Sequence, residues 1–223
     1  MATIQRALAA VAMIATLSGC LADVLARREV ERQELVTQTA ERVSSGQACC
    51  KSYQDMSFRA LAPNTEQEIV LTTASPIYEF AFGKSRFDAF ALPSLQIGDT
   101  LKLSAIELIN GPSAKPIFRP LVLLLTEAFE PLKEQPALEF THYFMGWSTE
   151  GHSAKVAVSA DIQNAKYAVV LADPAYVGKS YIKGELSYMS SAGGALVPVS
   201  VPEQRFPYGY EGKAFIEIKR ASN

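Results

Sequence analysis

Residues 77–93 read Ile77-Tyr78-Glu79-Phe80-Ala81-Phe82-Gly83-Lys84-Ser85-Arg86-Phe87-Asp88-Ala89-Phe90-Ala91-Leu92-Pro93. Tyr78, Phe80 and Phe82 recur with a period of two, which puts them on one face of a strand and fits no helix. Gly83-Lys84-Ser85 predicts a turn, residues 87–92 a returning strand, and Pro93 its end. The stretch is read as a β-hairpin, and the same pattern continues on both sides of it. Leu101 and Leu103 alternate with Lys102 and Ser104, with Gly111-Pro112 closing that strand. Residues 121–125 are apolar throughout, as in a strand buried on both faces. Further strands are expected at 140–145, 156–160, 167–172, 186–188, 197–201 and 214–219. About ten short strands bounded by Gly, Pro, Asn and Asp predict an all-β fold, an antiparallel, jelly-roll-like β-sandwich over residues 49–223.

Upstream the composition changes. Residues 21–46 lack proline and aromatics, are rich in helix formers, and space Val36, Ala40 and Val43 for one helical face. Extended backwards, that face meets Arg32 and Glu29, so it is read as too weak for docking along its length. Residues 20–48 are therefore expected to be a stalk, helical or disordered. Gly46 is expected to end any helix in a left-handed conformation. About 20 residues of helix at ~1.5 Å each would stand ~30 Å tall.

Before the stalk, Leu17-Ser18-Gly19-Cys20 follows a single basic residue, Arg6, and an eleven-residue h-region over 7–17. This is the layout of a bacterial lipobox, so residues 1–19 are read as a lipoprotein signal peptide and Cys20 as the lipidated first residue of the mature chain. The h-region falls well short of the ~20 residues that span a bilayer. Two or more acyl chains anchor stably where one does not. Leu21, rather than Asp, after the cysteine favours the periplasmic side of the outer membrane under the sorting rule of enteric bacteria.

The chain carries 21 basic and 23 acidic residues, and cleavage before Cys20 removes only Arg6 among them. No nucleic-acid partner is expected of such a mildly acidic chain. Cys49 and Cys50 are adjacent. They have three fates in an oxidising compartment: a disulfide between neighbours, bridges to another chain, or two packed thiols. A metal centre is not expected, because it wants three or four ligands and only His142 and His152 stand by to help. No cofactor is expected either.

Catalytic signatures fail one by one. Gly83-Lys84-Ser85 and Gly178-Lys179-Ser180 end like a P-loop, but Tyr78 and Asp173 stand where its first glycine belongs. Ser180-Tyr181-Ile182-Lys183 matches Ser-x-x-Lys without the companion motifs. The chain is read as no enzyme. Aromatics beside glycines are the better signal: Trp147 and Tyr143 in one cluster, Tyr208 and Tyr210 in another. Loop aromatics suit the C–H face of a sugar ring, and the alternative is that they fill the core.

From Cys50 onward the chain resembles the maltose operon periplasmic protein (MalM) family. The resemblance rests on Tyr53-x-x-Met56-x-Phe58, on Phe118-Arg119-Pro120 with the following apolar strand, on Asp173-Pro174-Ala175-Tyr176 leading through Gly178, and on the ending over 207–219. It implies a periplasmic protein linked to carbohydrate uptake; together with the lipobox, which departs from the family's pattern, the reading is a lipid-anchored accessory or binding protein in carbohydrate transport, with maltodextrin or another oligosaccharide and transport or envelope proteins as expected partners. The resemblance supplies no catalytic residue. An envelope scaffold without a sugar ligand is the first alternative, and a carbohydrate-active hydrolase the second.

Overall fold

The computed structural model describes residues 2–108, 116–144, 149–183, 186–192, 195–201 and 203–221. Along the chain run helix α1 (Ala2–Ser45) and strands β1 (Arg59–Ala60), β2 (Gln67–Leu71), β3 (Ile77–Phe80), β4 (Gly83–Ala91), β5 (Thr100–Leu108), β6 (Ile117–Phe118), β7 (Pro120–Leu125) and β8 (Thr141–Phe144). They continue with β9 (Thr149–Ala157), β10 (Tyr167–Ala172), β11 (Ser180–Lys183), β12 (Leu186–Ala192), β13 (Ala195–Val201), β14 (Gln204–Gly209) and β15 (Gly212–Lys219). Gly111-Pro112 and Trp147 lie outside the described residues.

Two five-stranded sheets face each other as a β-sandwich, one ordered β1-β4-β10-β7 with β3 added at β4, the other β2-β15-β5-β9-β8. Between them Ile69, Leu103, Ala105, Ile216 and Ile218 meet Phe90, Val122, Leu124, Ala168 and Val170, none more than 1% exposed. Alternate residues of the first sheet, Leu123, Leu125, Val169 and Leu171, face the other way. There Met56, Tyr78 and Phe80 cover them in a second cluster. Burial on both faces is why β7 and β10 read as unbroken apolar runs. Each such side chain contributes about 1.5–3 kcal/mol of burial.

As expected, the sandwich is antiparallel: every pairing in the β2-β15-β5-β9-β8 sheet is so, and the parallel pairings are two short ones, β1 with β4 at the border of the first sheet and β6 with β14 in a small third sheet. The hairpin is shifted. Phe80 pairs with Gly83, so Ala81 and Phe82 form the turn while Lys84 and Ser85 belong to β4. Gly83, at φ 119°, accepts the left-handed conformation that ends this turn. Phe82 leaves the core face and stacks, half-exposed, on Phe80 at 5.4 Å. Residues 180–183 and 204–209, which carry no clear strand signal, form the sheet β11-β14-β6. Pro207 is accepted in β14, the middle strand of this layer, because the Tyr208 amide bonds across to the Lys179 carbonyl and β6 pairs only with Tyr208 and Gly209, so no ladder bond of residue 207 is called for.

Residues 20–45 are helical, and their final turns dock against the sandwich. Arg32, Val36, Thr39 and Val43 recur at helical spacing and are 5, 3, 4 and 1% exposed. The expectation of a stripe too weak to dock is corrected by Arg32. Its guanidinium lies over the Phe206 ring, so this residue extends the stripe that it seemed to break. The helix end differs too. Gly46 has no left-handed φ. It is needed for close approach, since a Cβ there would stand 2.4 Å from Ile77 Cδ1. Lys84 Nζ donates to the Ser44 and Gly46 carbonyls at 3.1 and 2.9 Å, placing a cation at the negative end of the helix dipole. Counted from Cys20, about a dozen helical residues precede Arg32, ~18 Å at ~1.5 Å each, so the expected stalk is shortened by its docked final turns.

Candidate functional site

A groove of about 460 Å³ opens where α1 meets the sandwich. Leu35, Val36 and Thr39 of the helix form one wall, and Val70, Leu71 and Thr72 another. Ile117, Phe118 and Phe206 form its apolar floor, and Tyr210, Glu211 and Lys213 bring polar groups to it at the start of β15. The local sequence explains the shape. Gly212 lets β15 pass the Phe118 side chain, which a Cβ there would meet at 2.2 Å. Behind the groove Arg86 is nearly buried and faces Glu211 across 3.5 Å, while its Nη1 donates to the Ser75 carbonyl at 2.7 Å. The volume falls within the ~300–1,000 Å³ of small-molecule sites, with the usual mixture of apolar wall and few polar groups.

Of the four aromatics singled out from the sequence, Tyr210 lines this groove. Burial pushes its hydroxyl above the ordinary phenol range. Tyr208 does not offer an open stacking face. It is 8% exposed, packed with Ile117 and Phe206, and meets Tyr176 edge-on at 5.7 Å. Its place on β14, rather than on a loop, turns it inward. Tyr143 is on the edge strand β8, directly opposite Gly151, and its ring occupies the space that a Cβ of Gly151 would need. Tyr143 and Tyr210 therefore do not share a surface formed by one loop. Nothing is described of Trp147 or of the Cys20 side chain.

A second opening, about 520 Å³ and shallower, is lined by Cys49, Cys50, Asp55, Arg59 and Asp88. Cys49 and Cys50 are joined by a disulfide. The Cys49 amide donates to the Ile77 carbonyl at 2.8 Å, and Cys50 packs against the second core cluster. The carboxylates here are engaged. Asp88 pairs with Arg59. Asp55 accepts from the Ser52 hydroxyl and from the Ser52 and Lys51 amides, which holds it below the usual carboxylate range. A glycosidase acid needs the opposite shift.

Both histidines of the chain come together. His142 of β8 pairs directly with His152 of β9, with ring centroids 5.0 Å apart. Tyr181 of β11 packs on both, at 5.8 and 5.5 Å. Among the described residues no three His, Cys, Asp or Glu side chains converge as a metal centre. Sequence reasoning missed the helix wall of the groove because the stalk was read as a spacer; the Arg32, Val36, Thr39, Val43 spacing is the signal that finds it. Among the described residues no helix is long and apolar enough to cross a membrane. No protein-family model, curated protein or solved structure matches the chain.

Proposed function

We propose that this chain is a lipid-anchored periplasmic binding protein without enzymatic activity, serving carbohydrate uptake and holding a linear oligosaccharide such as maltodextrin in the groove between α1 and β15. The observation that carries this reading is the groove itself, in which Tyr210 is joined by Glu211, Lys213, Thr39 and Thr72 over an apolar floor. A sugar needs that combination of C–H packing surface and hydroxyl partners. Support for an anchor comes from the lipobox ending at Cys20, and support for the sugar from the resemblance of residues 50–223 to the MalM family. The anchoring helix supplies one wall of the groove, so the ligand would lie close to the membrane-proximal face of the domain. Among the described residues the groove is lined by one carboxylate, Glu211, which supports binding rather than hydrolysis, a reaction that uses two.

Calorimetric titration of the full chain with maltodextrins tests this. The expected dissociation constant lies near 1 mM, about −4 kcal/mol, which one or two packed rings supply. Tyr210→Ala should weaken binding several-fold beyond any loss of fold, which a thermal melt measures separately because Tyr210 also packs against the core. No heat at saturating maltodextrin in folded protein would reject the sugar. The scaffold reading would then stand, and the β12–β13 arm favours it: the two strands pair with each other and belong to neither large sheet.

A further inference from the structure

Cys49 and Cys50 are held in place by contacts other than their own bond. The Cys49 amide donates to the Ile77 carbonyl at 2.8 Å, Asp55 accepts from the Lys51 and Ser52 amides at 3.1 and 2.9 Å, and Cys50 packs against the second core cluster. With a sequence separation of 1, the disulfide encloses no chain between its ends, so it is not what keeps this segment folded. The peptide bond fixes the two Cα atoms 3.8 Å apart, below the ~4.4–6.8 Å of ordinary disulfides, and a bridge outside that range is more readily reduced. The two residues also differ in access. Cys49 is exposed and Cys50 half-buried, and both line the opening of about 520 Å³ between the helix end and β4.

We infer that Cys49 and Cys50 are a redox-active pair, a thiol–disulfide exchange site that takes electrons from a dithiol and is entered at Cys49. A thiolate of the donor bonds to the Cys49 sulfur as the bond between the two cysteines breaks. The electron pair of that bond leaves on the Cys50 sulfur, which takes up the proton that the donor thiol released to water. The donor's second thiolate then displaces the Cys49 sulfur, which is protonated in the same way. The pair ends as two thiols and the donor as a disulfide, with two electrons and two protons transferred. Entry is at Cys49 because exchange follows access to the attacked sulfur, and Cys49 is the exposed partner. Because neighbouring hydrogen bonds and packing hold both residues, the exchange runs without unfolding the domain. It is stoichiometric, and it does not rest on the sugar function proposed for the groove.

The test follows the native, full, detergent-solubilised chain in about 1 mM dithiothreitol. Samples are acid-quenched and alkylated, and the tryptic peptide over residues 43–51, which carries both cysteines and excludes Cys20, is weighed. Native reduction should run within about tenfold of the rate for the same chain unfolded in guanidinium chloride, since an accessible bond needs no opening of the fold. A slower native rate, or alkylation of both cysteines before any reductant is added, would overturn the assignment. With oxidised glutathione, Cys50→Ser should form its mixed disulfide at Cys49 at least about threefold faster than Cys49→Ser forms one at Cys50. A smaller or reversed difference would overturn entry at Cys49. Reduced thioredoxin in place of dithiothreitol separates the two sources of a dithiol: comparable rates assign a protein donor, and reduction by dithiothreitol alone assigns a small one, with the exchange site upheld in both cases.

Discussion

The guanidinium carbon of Arg32 lies 4.3 Å from the centroid of the Phe206 ring, and its Nη1 donates to the Arg205 carbonyl at 3.3 Å. A charged residue thereby becomes a packing contact between the helix and the sandwich. Burial, with Arg28 nearby, lowers its pKa from the usual arginine value, yet the group remains charged at any physiological pH. A desolvated cation–π contact is worth about 2 kcal/mol, so Arg32→Ala should lower the melting temperature by about 4–8 °C for a chain of this size. Arg32→Lys should recover little, because an ammonium cannot stack as a plane. A fragment starting at Gln47 should still melt cooperatively but at lower temperature, since Phe206 and Ile117 lose their cover. Differential scanning calorimetry checks all three, and an unchanged midpoint for the fragment would mean that the docked turns add nothing.

Gly151 is the place where the edge strand depends on an absent side chain. A Cβ there would stand 2.5 Å from Tyr143 Cζ and 2.7 Å from the Ala105 carbonyl oxygen, and the carbonyl is backbone that cannot move aside cheaply. Gly151→Ala should cost about 1–3 kcal/mol as an overpacking substitution. Combining it with Tyr143→Ala should recover only part of this, because the backbone clash persists. Thermal melts of the single and double variants measure that difference; full recovery would place the strain on the ring alone.

Much of the sandwich was legible in the sequence because period-two alternation and turn residues record a strand's environment directly. β5, β7, β10 and β15 carry that record clearly. Illegible were β11 and β14, whose Ser, Lys, Arg and Pro residues reflect packing in a small third sheet rather than a central core. The turn of the first hairpin was misplaced because Phe82 continues the aromatic alternation into a position that the chain uses for reversal. The site was less legible still. A groove requires the helix to return to the domain, and that contact is encoded by an arginine whose charge conceals its packing role. The histidine pair depends on strand register, which no local pattern displays.

The Cys49–Cys50 disulfide closes a ring across adjacent residues, so it removes little chain entropy from the unfolded state. Replacing both residues with Ser should therefore shift the melt by only a few degrees. It should act locally, at the Ile77 contact and the approach to the second core cluster. Alkylation of denatured protein, read by intact mass, should add no label at these positions until a reductant is supplied. Two additions without reductant would show free thiols in solution.

Asp99 predicts the acid response. Its side chain is buried, which alone would raise its pKa, but the Gln96 and Ala221 amides and the Arg220 guanidinium outweigh burial and hold the carboxyl below the usual range. The contacts are 2.9 Å from Gln96, 3.2 Å from Ala221 and 2.5 Å from Arg220, and they tie the end of β15 to the turn before β5. With a folded value below the unfolded one, the stabilisation is complete above about pH 4, the unfolded value, and is lost as pH falls through the folded value. Asp99→Asn should therefore lower the melting temperature at neutral pH and flatten its decline in acid, so that the two melting curves converge as the pH falls through the folded value. Equal differences between wild type and Asp99→Asn at neutral and acid pH would assign the loss to hydrogen-bond geometry alone and remove the carboxylate's charge from the account.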